Sequence, residues 1–356
     1  MVVEPLSFEL FLPNNLSRNR VELQPVTARV EHELRHVARN GFGIETINSF
    51  SRIGNSGILS SNYLLSMDGF CVVLKARPSG DGVSMRLTNE IKLFINMYAK
   101  GLAVPKPFRT LRGSYVFKAF ESEWSCYHHC SGTYFYGYPG ELEAAAQSYT
   151  DLTQALSNAN KEWQGQYIEG KLVKDLAALV YNSPNPPTED RVMGKFYHAH
   201  RDELLKLIDQ VIEEQPMIES HCQVMHTDFH PLNILMKNGC VNAILDFEDV
   251  KVYPVTAASG FAAYKLIRQS LVGIPSEERL PEAQRMVNYW MMKFRSVIKC
   301  QPLEPRTLGM GALYRVLGLL HTMLDAWFRR GDTKFNFDFP KQMGSIREIR
   351  IIFDII

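Results

Sequence analysis

The sequence lacks long apolar runs, has no large excess of charge of either sign, and contains only six cysteines in 356 residues. No stretch reaches the roughly 18 consecutive apolar residues that a membrane-spanning helix needs. The formal net charge of +1 excludes a general electrostatic attraction to nucleic acid or to an anionic membrane. The scattered cysteines argue against a disulfide framework and for a reducing compartment. Because Met1–Pro13 also has no basic segment typical of a signal peptide, we expect a cytoplasmic protein, with neither nucleic acid nor a membrane among its partners.

Hydrophobic periodicity divides the chain into three regions. Residues 1–43 form an extension with one helix at 27–40. Residues 44–121 alternate short strands with turns at Met67-Asp68-Gly69 and Arg112-Gly113, and one helix over 83–100 crosses them. Residues 122–356 are mostly helical, with a short β section at 222–250. The predicted helices lie at 140–158, 170–181, 190–214, 256–272, 278–299, 306–330 and 341–353. This order predicts an α+β fold with an antiparallel sheet of about five strands followed by a helical lobe.

The most informative segment is His226-Thr-Asp228-Phe-His230-Pro-Leu-Asn233, of the form H-x-D-x-x-x-x-N. It is followed by Asp246-Phe-Glu248 at the end of a short apolar strand. Taken singly, each polar residue here is as well explained by a turn cap or a strand end. Together they supply what phosphoryl transfer requires, namely a carboxylate for the acceptor hydroxyl and two oxygen ligands for magnesium. We predict that Asp228 is the catalytic base and that Asn233 and Asp246 hold the metal.

On these two motifs the sequence resembles the superfamily of aminoglycoside phosphotransferases, choline kinase and type II homoserine kinase, over roughly residues 44–330. The resemblance implies a bilobal protein-kinase-like fold, ATP and Mg2+ as cofactors, and phosphorylation of a hydroxyl on a small molecule such as a sugar, amino alcohol or hydroxy amino acid. The chain departs from the family after the metal-binding Asp, where Tyr253-Pro-Val-Thr-Ala-Ala-Ser-Gly-Phe-Ala contains no Asp. An antibiotic phosphotransferase and a non-catalytic, nucleotide-binding pseudokinase remain as alternatives. The motif residues are all intact, which weighs against the pseudokinase.

The nucleotide is expected to bind in the sheet lobe. Lys75 ends the apolar segment Val72-Val-Leu-Lys75, from which a lysine can reach phosphates. Its usual partner is a helical Glu, and Glu90 in the helix 83–100 is the candidate. The resemblance implies that the loop 54–62 contributes Ser56, Ser60 and Ser61 to the phosphates. It also implies that Ala119, Phe120 and Glu121 form the hinge that meets adenine.

The segment Cys126-Tyr-His128-His129-Cys130 contains four possible zinc ligands. Its spacing matches no common zinc site, and no second Cys or His pair lies nearby. We interpret it as a polar, aromatic segment next to the nucleotide.

The acceptor is expected to be a small neutral or anionic hydroxyl compound. Residues 264–356 contain 15 Lys and Arg against 9 Asp and Glu, and a pocket for a polycationic aminoglycoside needs the opposite balance. Tyr264 and Arg268, one helical turn apart, and His230 of the catalytic loop are the predicted acceptor contacts. Glu248 is expected to contribute to the same site by holding a second ion or orienting the loop. The sequence does not indicate an oligomeric state.

Overall fold

A computed structural model describes residues 22–54, 60–159, 169–183, 185–186, 190–297, 304–336 and 338–355. They form two compact units. The sheet unit combines residues 22–136 with 231–249, and the helical unit combines 137–230 with 250–355. The chain thus leaves the sheet unit, returns to it for one short segment and leaves again. The domain boundaries predicted after residues 43 and 121 stay a prediction.

The sheet unit is built on a six-stranded antiparallel sheet in the order β1-β2-β3-β4-β6-β5. Its strands are β1 (Leu23–Pro25), β2 (Ser49–Ile53), β3 (Ser61–Met67), β4 (Phe70–Pro78), β5 (Phe117–Ala119) and β6 (Ser122–His128). Two helices belong to the same unit, α1 (Ala28–His36) and the predicted α2 (Val83–Ala99). The predicted hairpin between β3 and β4 is confirmed, since Met67 pairs with Phe70 around Gly69, whose φ is 84 degrees.

The second predicted hairpin, 108–110 with 114–120, is wrong. Thr110 and Ser114 close a turn through a backbone hydrogen bond of 2.6 Å, but the strand that follows, β5, pairs with β6 instead. Phe120 and Glu121 connect these two strands, and both have positive φ, at 52 and 56 degrees. Asn, Asp and Gly are the usual residues at such turns, so the sequence carries no signal for this one.

A small three-stranded sheet in the order β10-β9-β7 completes the sheet unit. Its strands are β7 (Thr133–Tyr134), β9 (Ile234–Lys237) and β10 (Cys240–Ile244). The dipeptide Asn238-Gly239 joins β9 to β10, and both residues have positive φ, as a type I′ hairpin turn requires. This tight turn determines which residues of the two strands lie opposite each other, and it thereby places the segments on either side of the hairpin.

The helical unit contains seven helices within its described residues, each close to a predicted range. They are α3 (Glu141–Ser157), α4 (Glu169–Asn182), α5 (Arg191–Ile218), α6 (Val255–Ser270), α7 (Arg279–Phe294), α8 (Pro305–Arg330) and α9 (Asp338–Ile352). A two-stranded antiparallel ribbon of β8 (Cys222–His226) and β11 (Val250–Pro254) belongs to the same unit. In the described part of the chain, no helix is both long enough and apolar enough to cross a bilayer.

Helices α6 and α8 pack unusually close together because glycines face the neighbouring backbone. Gly260 of α6 lies against the carbonyl of Leu308, and Gly311 of α8 lies against the carbonyl of Thr256. A Cβ atom added to Gly311 would lie 2.5 Å from the Thr256 oxygen, well inside van der Waals contact. Since only glycine permits this approach, the two helices hold the side chains on their facing surfaces in a defined register.

Candidate active site

Two buried cations lie side by side on strand β4. Lys75 and Arg77 are two residues apart, so the alternation of a strand points both side chains to one face of the sheet. Lys75 is 8% exposed and Arg77 is 9% exposed. Buried cations at this depth require compensating charges.

Three carboxylates surround these two cations. The Lys75 ammonium lies 2.9 Å from Asp246 Oδ1 and 2.5 Å from Glu248 Oε1. The Arg77 guanidinium lies 2.5 Å from Glu90 Oε2 and 2.9 Å from Glu248 Oε1. Glu248 is therefore shared by both cations. With three carboxylates against two cations, the cluster has an excess of one negative charge.

The direct ion pair of Glu90 is with Arg77, although the charge of Glu90 is the largest of those that raise the pKa of Lys75; a joint role of Lys75 and Glu90 on the nucleotide stays a prediction. Glu90 contacts Arg77, and the Lys75 ammonium contacts the two carboxylates of the Asp246-Phe247-Glu248 segment. Sequence reasoning missed Arg77, although its spacing of two from Lys75 on a strand was a usable signal. The distribution of the contacts among the five charged groups depends on a segment 171 residues away in the sequence, which no local pattern reveals.

The surrounding charges hold Lys75, Arg77 and Glu248 in their ionised forms, whereas burial raises the pKa of Glu90 above its ordinary value against the opposing charges of Lys75 and Arg77. Burial lowers the pKa of Lys75, but the charges of Glu90, Asp246 and Glu248 outweigh this effect and raise it above its ordinary value. Burial likewise lowers the pKa of Arg77, and the charges of Glu90 and Glu248 more than reverse that. For Glu248 burial raises the pKa, and the charges of Lys75 and Arg77 bring it below its ordinary value.

The segment Asp246-Phe247-Glu248 is anchored by its central ring. Phe247 is buried, and its ring lies 4.4 Å from that of Phe94 in α2. Asp246 has a φ of 57 degrees, a conformation that Asp tolerates better than most residues. The backbone N–H of Leu245 donates to the carbonyl of Asn233 at 2.8 Å. This bond brings the residue before Asp246 next to Asn233, so the two predicted metal ligands come from adjacent backbone segments.

These side chains fit a magnesium ion. Magnesium takes oxygen ligands and is usually held by one or two carboxylates together with substrate phosphates. Asp246 and Glu248 already converge on one cationic atom, Lys75 Nζ, and the excess negative charge of the cluster favours a further cation. Among the residues the structure describes, no group of three or more His, Cys, Asp or Glu could hold a metal ion.

A pocket in the sheet unit opens onto this cluster. Polar groups line one part of it, and these are Lys75, Glu90, Asn62, Asn233 and Asp246. The remaining wall is largely apolar or aromatic, formed by Ile53, Val73, Phe94, Pro105, Tyr127, Tyr134, Leu232, Leu235 and Leu245. A pocket with an apolar wall and a charged end has the chemistry to hold a planar base and its phosphates.

In the helical unit, Asp228 follows β8 in a loop anchored by a buried ring. Phe229 is fully buried, 4.6 Å from the ring of Tyr149 in α3. The backbone N–H of Asp228 donates to His226 Nδ1 at 3.3 Å. His230 Nε2 lies 3.3 Å from Asp228 Oδ2, and the Asp228 side chain is 40% exposed. The loop therefore buries its phenylalanine and leaves the carboxylate accessible.

Asp228 is ionised at neutral pH. Burial raises the pKa of this carboxyl group, but the hydrogen bond and charge of His230, together with Arg315 and His226, hold it well below its ordinary value. Such a carboxylate accepts a hydrogen bond from a hydroxyl group readily. It is a weak base, however, and takes the proton only once the hydroxyl has become acidic.

Residues 51–264 match the model of the phosphotransferase enzyme family, APH. The match covers more than half of the chain. The protein belongs to this phosphotransferase family. No curated protein sequence matches it.

Solved structures of kinases share the fold of this phosphotransferase. A spectinomycin phosphotransferase bound to ADP and spectinomycin has 13% sequence identity and a TM-score of 0.64, with 93% of this chain and 98% of that chain covered. An aminoglycoside phosphotransferase from Alicyclobacillus acidocaldarius has 13% identity and a TM-score of 0.57, covering 86% and 91%. An amicoumacin kinase bound to AMP-PNP and Ca2+ has 14% identity and a TM-score of 0.58, covering 92% and 94%. The predicted superfamily and its protein-kinase-like α+β fold are confirmed.

The residues predicted as the adenine hinge lie at the far end of strand β6 from the pocket. Ala119, Phe120 and Glu121 form the end of β5 and the turn into β6, and the pocket lining does not include them. The opposite end of β6 lines the pocket, through Tyr127 and the segment His128–Cys130. The sequence pattern did not reveal strand β6. A contact of Ala119–Glu121 with adenine, and a place of the Cys126–Cys130 segment next to the nucleotide, stay predictions.

The structure describes only part of the predicted phosphate-binding loop, residues 54–62. Ser56 lies outside the described residues. Ser60 is buried and Ser61 begins β3, and neither lines the pocket, whereas the neighbouring Asn62 does. Contacts between Ser60 or Ser61 and the phosphates stay a prediction.

Tyr264, predicted as an acceptor contact, has an internal partner in the helical unit, and its contact with an acceptor stays a prediction. It is fully buried, and its hydroxyl group donates to Glu348 Oε2 at 2.5 Å. Arg268 Nε donates to the same oxygen at 2.7 Å. Tyr264 and Arg268 do lie one helical turn apart on α6, as predicted. Both side chains donate hydrogen bonds to the carboxylate of Glu348 on α9, which lies 80 or more residues further along the chain. A role of Arg268 or His230 in acceptor binding stays a prediction.

Proposed function

We propose that this phosphotransferase is an ATP- and magnesium-dependent kinase that phosphorylates a hydroxyl group of a small molecule. The observation that supports this most directly is the charged cluster around Lys75 and Arg77, of which Lys75, Glu90 and Asp246 line a largely apolar pocket. Family membership supports the reaction class. Similar solved structures are described in complex with ADP or AMP-PNP.

Each residue of the cluster has a role in this proposal. Lys75 holds the phosphates of the nucleotide, and Arg77 holds Glu90 and Glu248 in place. Asn233 and Asp246 are the magnesium ligands, with Glu248 beside them. Bound magnesium supplies positive charge to the phosphate oxygens. The contacts of Lys75 with Asp246 and Glu248 keep these three side chains together until phosphates compete for the ammonium.

Asp228 acts on the acceptor. The acceptor oxygen forms a bond to the γ-phosphorus as the bond from that phosphorus to the β,γ-bridging oxygen breaks, and ADP leaves with the bonding electrons. The hydroxyl proton passes to Asp228 and then to solvent. Because the pKa of Asp228 is held so low, the carboxylate orients the hydroxyl by accepting its hydrogen bond, and the proton moves late in the reaction.

The acceptor is proposed to be a sugar, an amino alcohol or a hydroxy amino acid. An antibiotic acceptor is the second candidate, because similar solved structures are described with spectinomycin and hygromycin B. Both candidates use the same chemistry, and a panel of acceptors separates them. A pseudokinase would bind the nucleotide but turn over none of the panel.

The proposal is tested in two steps. First, thermal unfolding is recorded with and without AMP-PNP and MgCl2, and we expect stabilisation that requires both. Second, ADP release is measured with sugars, choline, homoserine, hydroxy acids and kanamycin. Nucleotide binding without turnover of any acceptor would favour the pseudokinase. No magnesium-dependent stabilisation at all would refute the proposal.

A further inference from the structure

Lys265 is a half-buried lysine for which the described residues provide no ion-pair partner. It lies on α6, and its ammonium lies 5.0 Å from the ring centre of Phe261 and 5.1 Å from that of Tyr264. Within the described ranges, its ammonium makes no hydrogen bond and no ion pair. Removing a cation from water without a partner is costly, and the rings compensate only in part. A charged group held in this way has the properties of a ligand-binding residue.

The charged groups around Lys265 are engaged elsewhere or carry the same sign. They are Arg268 on α6, Lys341 and Glu348 on α9, and Asp228 of the catalytic loop. Glu348 already accepts hydrogen bonds from Tyr264 and Arg268, and Lys341 is paired with Asp338 at 2.9 Å.

Burial, followed by the charges of Lys341 and Arg268, lowers the pKa of Lys265 to about 8. The charges of Glu348 and Asp228 oppose that shift without overcoming it. At neutral pH the side chain is still mostly an ammonium ion, and no carboxylate of the described residues lies within ion-pairing distance of it.

A second cation lies close to the same ring and acts on the same carboxylate. The Arg315 guanidinium, on α8, is buried and lies 5.9 Å from the centre of Phe261, compared with 5.0 Å for Lys265. The close packing of α6 and α8 through Gly260 and Gly311 makes this arrangement possible. Arg315 lowers the pKa of Asp228, and Asp228 in turn raises that of Lys265. The charges of Arg315 and Lys265 thus both bear on this part of the helical unit, where the proposed base lies.

We propose that Lys265, with the field of Arg315 behind it, binds an anionic group of the acceptor, so that the phosphorylated hydroxyl compound carries a carboxylate or a phosphate. This inference rests on the proposed function. An anionic group supplies the ion-pair partner that the described residues do not provide for Lys265, and it positions the hydroxyl relative to Asp228. A polycationic acceptor would instead be repelled by the Lys265 ammonium.

The test compares anionic acceptors with neutral ones of the same carbon skeleton. Affinities are measured by calorimetry with the full chain in Mg-AMP-PNP for glycerate, glycerol 3-phosphate and glycerol, and for further hydroxycarboxylates paired with their neutral alcohols. A hydrogen bond to a charged group corresponds to a difference of about ten- to a hundredfold in affinity. We expect at least one anionic probe to bind about tenfold more tightly than its neutral counterpart. Comparison of the affinities for the carboxylate and the phosphate probes shows which of the two anions the site binds.

Lys265→Met removes the charge with little change of shape, and its matched control is Lys293→Met. Lys293 is also half-buried on a helix, with its ammonium 5.6 Å from the ring of Tyr289. We expect Lys265→Met to abolish the preference for the anionic probe, and Lys293→Met to retain it. Both variants should keep the magnesium-dependent stabilisation by AMP-PNP, which tests the nucleotide site separately.

A pH series provides a second readout. The preference for a carboxylate probe should fall between pH 7 and pH 9 in the wild type, because the ammonium of Lys265 is present below its pKa of about 8 and is lost above it. In Lys265→Arg the preference should persist, since a guanidinium remains protonated over this range. The inference is overturned if no anionic probe is preferred, or if the preference survives Lys265→Met. If neutral alcohols or kanamycin are turned over efficiently and anions are not, the inference fails while the kinase function stands. If no nucleotide binds, the proposed function fails as well.

Discussion

Replacing Arg77 by Met should be the most destabilising single change in the charged cluster. Arg77 holds two carboxylates, Glu90 and Glu248, and lies almost entirely out of solvent. The two partners are affected differently. Glu248 keeps its contact with the Lys75 ammonium at 2.5 Å. Glu90 is 3% exposed, and within the described residues Arg77 is its one hydrogen-bonding and ion-pairing partner. The loss of stability in Arg77→Met should therefore come mainly from the buried carboxylate of Glu90, which is left without its partner.

Leaving a buried charge without its partner costs about 3–5 kcal/mol of unfolding free energy. The matched control is Arg29→Met in the same unit. That arginine is paired with Glu33 at 3.2 Å, and its side chain is 89% exposed. A surface pair of this kind contributes at most about 1 kcal/mol. The difference between the unfolding free energies lost in Arg77→Met and in Arg29→Met measures how much burial increases the effect of replacing an ion-paired arginine by methionine.

The assay is chemical denaturation, and a double variant tests the reasoning. Adding Glu90→Gln to Arg77→Met replaces the unpaired carboxylate with a neutral amide, so most of the lost stability should return, and the two changes should be strongly non-additive. If Arg77→Met costs no more than Arg29→Met, the buried network does not exist as described. If the double variant is less stable than Arg77→Met alone, the unpaired charge of Glu90 is not the source of the loss.

Three further changes test other parts of the molecule. Asp228→Asn keeps the shape but removes the proton acceptor, so ADP release with the active acceptor should fall by at least about a hundredfold with AMP-PNP binding retained; near-normal turnover would refute its assignment as the base. Asp246→Ala removes a proposed magnesium ligand, and thermal unfolding should then show no magnesium-dependent stabilisation by AMP-PNP; a normal shift would exclude Asp246 as a ligand. Gly311→Ala places a methyl group 2.5 Å from the Thr256 carbonyl oxygen, so chemical denaturation should show a loss of about 1–3 kcal/mol of unfolding free energy. Its control is Gly69→Ala, where the added atom meets nothing within 4 Å and only the positive φ of the glycine opposes the substitution.

Local patterns in the sequence were sufficient for most helices and for the identity of the catalytic segments. The helices of the second unit show apolar residues at a period that the backbone itself imposes, and each was found near its predicted position. The H-x-D-x-x-x-x-N motif was recognisable because phosphoryl transfer requires those residue types, and the required types are readable without a structure. The loops that carry Asp228 and Asp246 are each anchored by a buried phenylalanine, Phe229 and Phe247. The sequence suggests this arrangement, because each phenylalanine stands between two polar residues.

The sequence by itself therefore determined the family, the helices of the second unit, and the segments able to carry the chemistry. Only the tertiary structure decided which charges meet. Arg77 instead of Lys75 contacts Glu90, because Asp246 and Glu248 arrive from a distant segment and occupy the ammonium. Tyr264 is buried against Glu348 of another helix, and the turn at Phe120 and Glu121 adopts a backbone conformation that neither residue favours. Periodicity and propensity are properties of neighbouring residues, whereas ion pairing and burial depend on residues brought together from far apart in the chain.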